Sequence, residues 1–356
     1  MNSPSIPARR IALALLLFMP ARSRAQQPDP DSPAYTFHIQ TDLLQIPVLV
    51  LSQARLPLPP IDPGRFTISI AGGAPFHPQV RREGDDPIAL AIIADHSGPQ
   101  EALLSPLPAA ISQAMPTLLN AADTIRVDNL NHCILRHVLV ASAPGVTSQQ
   151  RVIERSSASY TLADERDRQS KCDSAVKLWD TLTITIADLA KQPGRRILLV
   201  VSNGNDTGSR YSWNQVRLFA VTHAVTIFSL SDPADPWRQQ LRRKGRHSGP
   251  AEGDGLSALC QLTGGLDFES TPSSLDSFLR DFLDLVRNRY IVEFPRPQHF
   301  TNSASLDVQV QGMKGMVRPS GISFPTSIEA NAPKTTITKT LPRPIPGTRV
   351  ALPPPH

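Results

Sequence analysis

The stretch "IALAIIA" (Ile88–Ala94) is apolar without interruption and stops at Asp95. A strand with one wet face alternates apolar and polar residues; this one does not, so both of its faces must be covered. "RRILLVVSNGND" (195–206) repeats the design, an apolar run that ends in small polar residues. Two such strands exclude a simple antiparallel sheet with a solvated side. They call instead for a mostly parallel sheet with helices on both faces.

The segments between these runs supply the helices. "LPAAISQAMPTLLNAA" (107–122) reads as a helix kinked or broken at Pro116. Ser174 to Gln192 places Ala175, Leu178, Trp179, Leu182, Ile186 and Leu189 on one helical face, and Gly194 supplies a stop. "VRLFAVTHA" and "LSALCQLTGG" are further helices, and "VTIFSL" and "LDFES" are strands. "DTIRVDNL" and "ILRHVLVAS" are the two strands that follow the first helix. The clearest helix is "SSLDSFLRDFLDLVRNR", with Ser273 or Ser274 as N-cap and Leu275, Phe278, Leu279, Phe282, Leu285 and Val286 on one face.

Strand patterns also flank this alternating region. "LLQIPVLVL" and "RFTISIAGG" precede it, separated by the turn-rich "PLPPIDPG"; "YIVEF" and "LDVQVQ" follow it. These flanking strands are expected to pair with each other. The fold class is therefore α/β, a Rossmann-like domain over 86–289 plus a small β module from 36–82 and 290–325.

The two ends read differently. Arg9 and Arg10 precede the apolar Ile11–Met19, and Ser23-Arg24-Ala25 offers a cleavage site, so 1–25 is expected to be a signal peptide and 26–35 a linker. The apolar stretch is too short for a membrane span, which needs about 20 residues. Export to the periplasm, cell surface or medium follows, with no integral span after cleavage. The 35 prolines include many in the tail from Thr326 on, which is expected to be disordered or polyproline.

Charge excludes one class of partner. The leader carries four arginines and no acid, so its removal leaves 32 of the 36 basic residues against 31 acidic ones. A near-neutral chain gives no general field for nucleic acid. The local run "RQQLRRKGRH" (238–247) reads as a solvated loop, with an anionic partner surface as the alternative.

Catalytic signatures are missing. "DHSGP" lacks the Gly-x-Ser-x-Gly elbow, and His132, His137, His223 and His247 form no triad pattern with acids. No glycine-rich phosphate loop follows any strand, so a nucleotide-binding domain is disfavoured as well. Cys133, Cys172 and Cys260 match no zinc spacing. In an exported chain they allow one disulfide and one thiol; three pairings are open, with Cys133 to Cys172 favoured.

"IALAIIADHSG", "VKLWDTLTITIADL", "RRILLVVSNGNDTGS", "VTIFSL" and "LCQLTGGLDF", in that order, resemble the von Willebrand factor A fold. With "LLQIPVLVL" before them and "RYIVEFPRP" after, residues 36–325 look like the exported von Willebrand factor A-related proteins of acidobacteria. The resemblance implies a metal-ion-dependent adhesion site at the carboxyl ends of the strands, holding Mg2+ or another divalent cation. A protein partner would dock there, with no bond cut.

Carried onto this chain, that site comprises Asp95, Ser97, Ser174, Asn203 and Asp206, and it departs from the pattern. Pro99 stands where a second hydroxyl belongs. Val176 takes the threonine's place, with Ser174 two positions away as a substitute. Asn203 replaces an aspartate, leaving Asp206 or Asp173 to compensate. The function expected is a non-enzymatic binding or adhesion module with metal dependence weakened or lost. A structural envelope component without a metal site is the alternative, and a hydrolase the less favoured one.

Overall fold

The computed structural model describes residues 36–37, 43–142, 159–161, 175–240, 254–297, 306–322 and 337–338. The expected signal peptide, the linker and nearly all of the proline-rich tail lie outside the described residues, as do Ser174 and Cys172. The chain divides into two units. One spans Met1–Gln40 and Lys334–His356; in it β1 (Thr36–Phe37) pairs antiparallel with β15 (Ile337–Thr338). The other, Thr41–Pro333, holds everything that follows.

The central sheet contains all six segments that read as strands in the alternating region, and a seventh, Ser159–Thr161, that did not. Its seven strands are β5 (Ile88–Asp95), β6 (Thr124–Asn131), β7 (Ile134–Ser142), β8 (Ser159–Thr161), β9 (Arg195–Val201), β10 (Val225–Ser231) and β11 (Asp267–Glu269). The order is β11-β10-β9-β5-β6-β7-β8. Pairings from β11 through β6 are parallel; β6–β7 and β7–β8 are antiparallel. Every residue of β5 is buried, as its unbroken apolar run requires.

Alternate residues of β5 feed two different cores. Ile88, Leu90, Ile92 and Ala94 pack with α1 (Glu101–Leu104), α2 (Leu107–Leu118) and α6 (Leu275–Arg287). Ala89, Ala91 and Ile93 pack with α3 (Leu178–Leu189), α4 (Trp213–Thr222) and α5 (Gly255–Leu262). All six apolar residues assigned to the α6 face are buried. Each such side chain contributes about 1.5–3 kcal/mol when removed from water. Gly194 is not the stop of α3, which ends at Leu189 with Ala190 as C-cap; it turns the chain into β9 at φ +90°, where a Cβ would lie 2.5 Å from the Pro87 carbonyl oxygen.

The flanking strands pair with one another. β2 (Leu43–Ser52), β4 (Gln79–Arg82), β12 (Tyr290–Pro295) and β14 (Gly315–Pro319) form an antiparallel sheet in the order β14-β2-β12-β4. β3 (Phe66–Ile70) pairs with β13 (Leu306–Val310) as a ribbon. One face of β2, through Leu44, Ile46, Val48 and Val50, packs on Phe66, Ile68, Val308 and Val310. Its other face, through Leu49 and Leu51, joins the α6 core. The fully buried Arg289 bolts the two layers together: Nε and Nη2 each donate to Glu83 at 2.7 Å, and Nη1 donates to Thr226 Oγ1 at 2.9 Å.

Several local expectations are corrected. The helix begun at Leu107 runs through Pro116 and ends at Leu118. The third helix starts at Leu178, not near Ser174. Ser274 occupies the N-cap of α6 without a side-chain cap bond; Thr271 instead makes a capping box with Ser274 over the preceding 3-10 turn. Arg238 is not solvated: it is buried, its Nη1 2.6 Å from Asp254 and its Nε donating to Ser231 Oγ at 3.2 Å. The rest of that basic run, from 241, lies outside the described residues. Cys133 is disulfide-bonded and Cys260 is a free, buried thiol.

Candidate functional site

β5 and β9 lie side by side and parallel, with Ala94 opposite Val201, so their terminal turns emerge on one rim. Each apolar run ends in a residue whose side chain caps its own turn. Asp95 Oδ1 accepts from the Ser97 N–H at 3.0 Å. Ser202 Oγ accepts from the Gly204 N–H at 3.0 Å, and Asn203 Oδ1 accepts from the Asn205 N–H at 3.0 Å. Short polar side chains that bond two residues ahead are the usual means of turning a chain out of a strand.

The two turns are joined. The Ser202 hydroxyl donates to Asp95 Oδ2 at 2.7 Å. A Cβ on Gly98 would stand 3.2 Å from Asn203 Nδ2, so the β5 turn rests directly on that amide. Asn203 Nδ2 donates in turn to Asp235 Oδ2 at 3.2 Å, which draws in the loop after β10. Asp95, Ser202, Asn203 and Asp235 are all buried.

The β6–β7 hairpin and the approach to α3 complete the rim. Ser97 Oγ accepts from the His132 N–H at 2.7 Å, and the His132 carbonyl accepts from the Lys177 N–H at 3.0 Å. Val176, buried, donates its N–H to Thr207 Oγ1 at 2.9 Å and accepts from the Thr207 and Gly208 N–H groups at 3.0 Å each. Asp206 serves the helix rather than the β5 turn: its Oδ1 accepts from the Trp179 N–H at 3.3 Å, in the first turn of α3, and from the Ser209 hydroxyl. Burial raises its carboxyl above the ordinary 3.8, against the opposing bonds from Ser209 and Trp179.

Of the five sequence-derived positions, Asp95, Ser97 and Asn203 therefore share one hydrogen-bonded rim. Asp206 caps α3, and Ser174 lies outside the described residues. Ser202, Asp235 and the His132 peptide are the rim members that sequence reasoning missed. Ser202 carried a signal, a hydroxyl straight after the β9 run; Asp235 and the His132 backbone carried none, being distant in the chain.

The donor set does not fit a hard divalent cation, which takes six or more oxygens. Each Asp95 oxygen already accepts one hydrogen bond, and Pro99 and Val176 offer no side-chain oxygen. The Asn203 amide is spent on Asn205 and Asp235. Among the described residues, no group of three or more His, Cys, Asp or Glu is placed to hold a metal. Nor is any described helix long and apolar enough to cross a membrane.

No family model matches the chain, and no curated protein sequence does. Solved structures similar to it include proximal thread matrix protein 1 from the mussel byssus, at 11% identity and a TM-score of 0.35, over 61% of this chain and 49% of that one. The human COPII-coat protein Sec24c follows at 10% identity and 0.34, over 67% and 44%. The TFIIH p34 N-terminal domain matches at 14% identity and 0.34, over 56% and 98%. The chain spans about half the length of the first of these, and all three likenesses are too slight to carry an argument. What stands by itself is a mixed α/β fold, a mostly parallel sheet flanked by helices and compatible with the Rossmann-like class.

Proposed function

We propose that the chain is an exported, non-enzymatic docking module of the von Willebrand factor A type. Its strand-end rim takes a protein partner without a cation. The observation that carries this reading is the Asp95–Ser202 bond between the turns of two adjacent parallel strands. Open α/β sheets bind their ligands outside the carboxyl ends of such strands. In an adhesion site of this type a metal would tie those turns together; here side-chain and peptide hydrogen bonds do so. Export is supported by the leader pattern and by the disulfide at Cys133, a bond kept in oxidising compartments.

The test uses the chain from Gln26 onward, immobilised and exposed to envelope extract with and without a chelator. Pro99→Arg and Ala234→Arg add bulk and charge at exposed rim positions, and Leu218→Arg does so on the outer side of α4. A specific partner retained by wild type and Leu218→Arg, lost by both rim variants and indifferent to chelator supports the reading. Equal capture by all four proteins overturns the rim as the docking face and favours a structural envelope role. Capture that the chelator abolishes overturns the metal-free part.

A further inference from the structure

Asn203 is followed by Gly204, a residue with no side chain to hinder attack by its own amide nitrogen. In such a pair the glycine nitrogen, once deprotonated, adds to Cγ of the asparagine. The new C–N bond closes a cyclic imide and the side-chain nitrogen leaves as ammonia; water then reopens the ring to aspartate or isoaspartate. The net change exchanges an amide and a water for a carboxylate and an ammonium ion, and water is the sole co-reactant. Glycine is nevertheless what this turn requires: Gly204 stands at φ +83°, in the left-handed region, and a Cβ there would lie 3.1 Å from Leu256 Cβ.

The fold engages each group that the reaction uses. The Gly204 N–H, whose proton must leave, donates to Ser202 Oγ at 3.0 Å. Asn203 Nδ2, the leaving nitrogen, donates to Asp235 Oδ2 at 3.2 Å, and Asn203 Oδ1 accepts from the Asn205 N–H at 3.0 Å. The side chain is thus fixed at both ends, and the residue is 5% exposed. Asp235 is itself buried and set in place, its Oδ1 accepting from the Arg238 N–H at 3.0 Å. Closing the imide ring requires these bonds to open together.

We propose that Asn203 is a deamidation site kept closed by the rim: Ser202 and Asp235 protect it while the strand-end turns are joined, and local opening of the loop after β10 exposes it to an irreversible conversion. The conversion then prevents the loop from closing again. Asp235 Oδ2, which met a donor, meets a carboxylate oxygen instead, and two buried carboxylates at that distance repel. Isoaspartate also adds a main-chain carbon between β9 and its turn. The rim therefore carries a covalent record of having opened. The claim concerns the chemistry of the turn and stands whether or not a partner docks there.

The purified chain is incubated at mildly alkaline pH, native and in denaturing urea, and the tryptic peptide Ile197–Arg210 is followed by mass spectrometry, with fragmentation separating Asn203 from Asn205. Asn203 should convert readily in urea and slowly in the native chain. Asp235→Ala, folded by circular dichroism, should convert about tenfold faster than native wild type, the factor by which one lost hydrogen bond to a charged group raises an open population. Equal rates in native and denatured wild type overturn the proposal, as do equal rates in native wild type and folded Asp235→Ala. A second arm does not depend on Asp235→Ala folding. Asn203→Asp should lower the thermal midpoint, and Asn203→Asp/Asp235→Asn, which turns the bond round so that position 235 donates while its oxygen still accepts from Arg238, should recover about half of that loss or more. No recovery overturns the role given to Asp235, and with it the proposal.

Discussion

The buried pair between Arg289 and Glu83 gives the most direct test of how a charge is held at the junction of the two layers. Arg289 is 1% exposed and so is Glu83, and two parallel bonds of 2.7 Å link guanidinium to carboxylate. Replacing Glu83 with glutamine keeps the shape and removes the charge. The guanidinium is then buried with no counter-ion; it keeps the glutamine's one carbonyl oxygen and the 2.9 Å bond to Thr226, and its other N–H to position 83 now faces an NH2 donor. Breaking a buried pair in this way costs about 3–5 kcal/mol, a large share of the roughly 5–15 kcal/mol by which domains are stable. Urea unfolding should show a lower midpoint with an unchanged slope if the layers still unfold together. A steeper penalty is not expected, because Thr226 keeps one of the five donors occupied. The double variant Glu83→Gln/Arg289→Met buries no charge, so it should recover at least about 2 kcal/mol of the single loss as coupling. A loss below about 1 kcal/mol for Glu83→Gln, or additive losses in the double variant, would refute the reasoning.

Four further outcomes follow from the rim and the core. Asp95→Ala deletes the acceptor for the Ser97 N–H and the Ser202 hydroxyl and should cost about 2–4 kcal/mol, whereas Asp95→Asn should retain much of that. Mg2+ should leave the melting temperature of the wild type unchanged; a shift that Asp95→Ala abolishes would restore the cation reading. Burial raises the Asp206 carboxyl above 3.8, so its contribution is fully present below that value and is lost as pH climbs through the raised one. Asp206→Asn should therefore gain stability relative to wild type over that rise, and melting temperatures that diverge the other way would contradict it. Burial also pushes the Cys260 thiol up, away from thiolate, so iodoacetamide should label it in denaturant and leave it unmodified in the native chain.

The legible parts of this fold are those whose signal is local. Ile88–Ala94 announced a strand covered on both sides because it lacks alternation, and all of β5 is indeed buried. The α6 face was readable from a 3.6-residue period, and Val308 and Val310 from a period of two, with Asp307 and Gln309 exposed between them. β4, "QVRR", and β14, "GMVRP", were not recognised. Both are short edge strands of their sheet, where polar residues are tolerated on the open side. Pro116 misled because a proline's disfavoured place in a helix is only a propensity, and α2 runs on to Leu118.

The candidate site shows the same division. That Asp95 closes a strand, and that Ser97 and Asn203 sit in polar turns, is written in the chain. That Ser202 rather than a metal reaches Asp95, that Asp235 arrives from the loop after β10, and that Asp206 turns to α3 are consequences of strand order. Sequence alone determined the class of layer, since burial periodicity is a property of neighbouring residues. The partners of each polar group were decided only when β5 was set between β9 and β6, because a hydrogen bond depends on ångström-scale distances between segments that the chain itself keeps far apart.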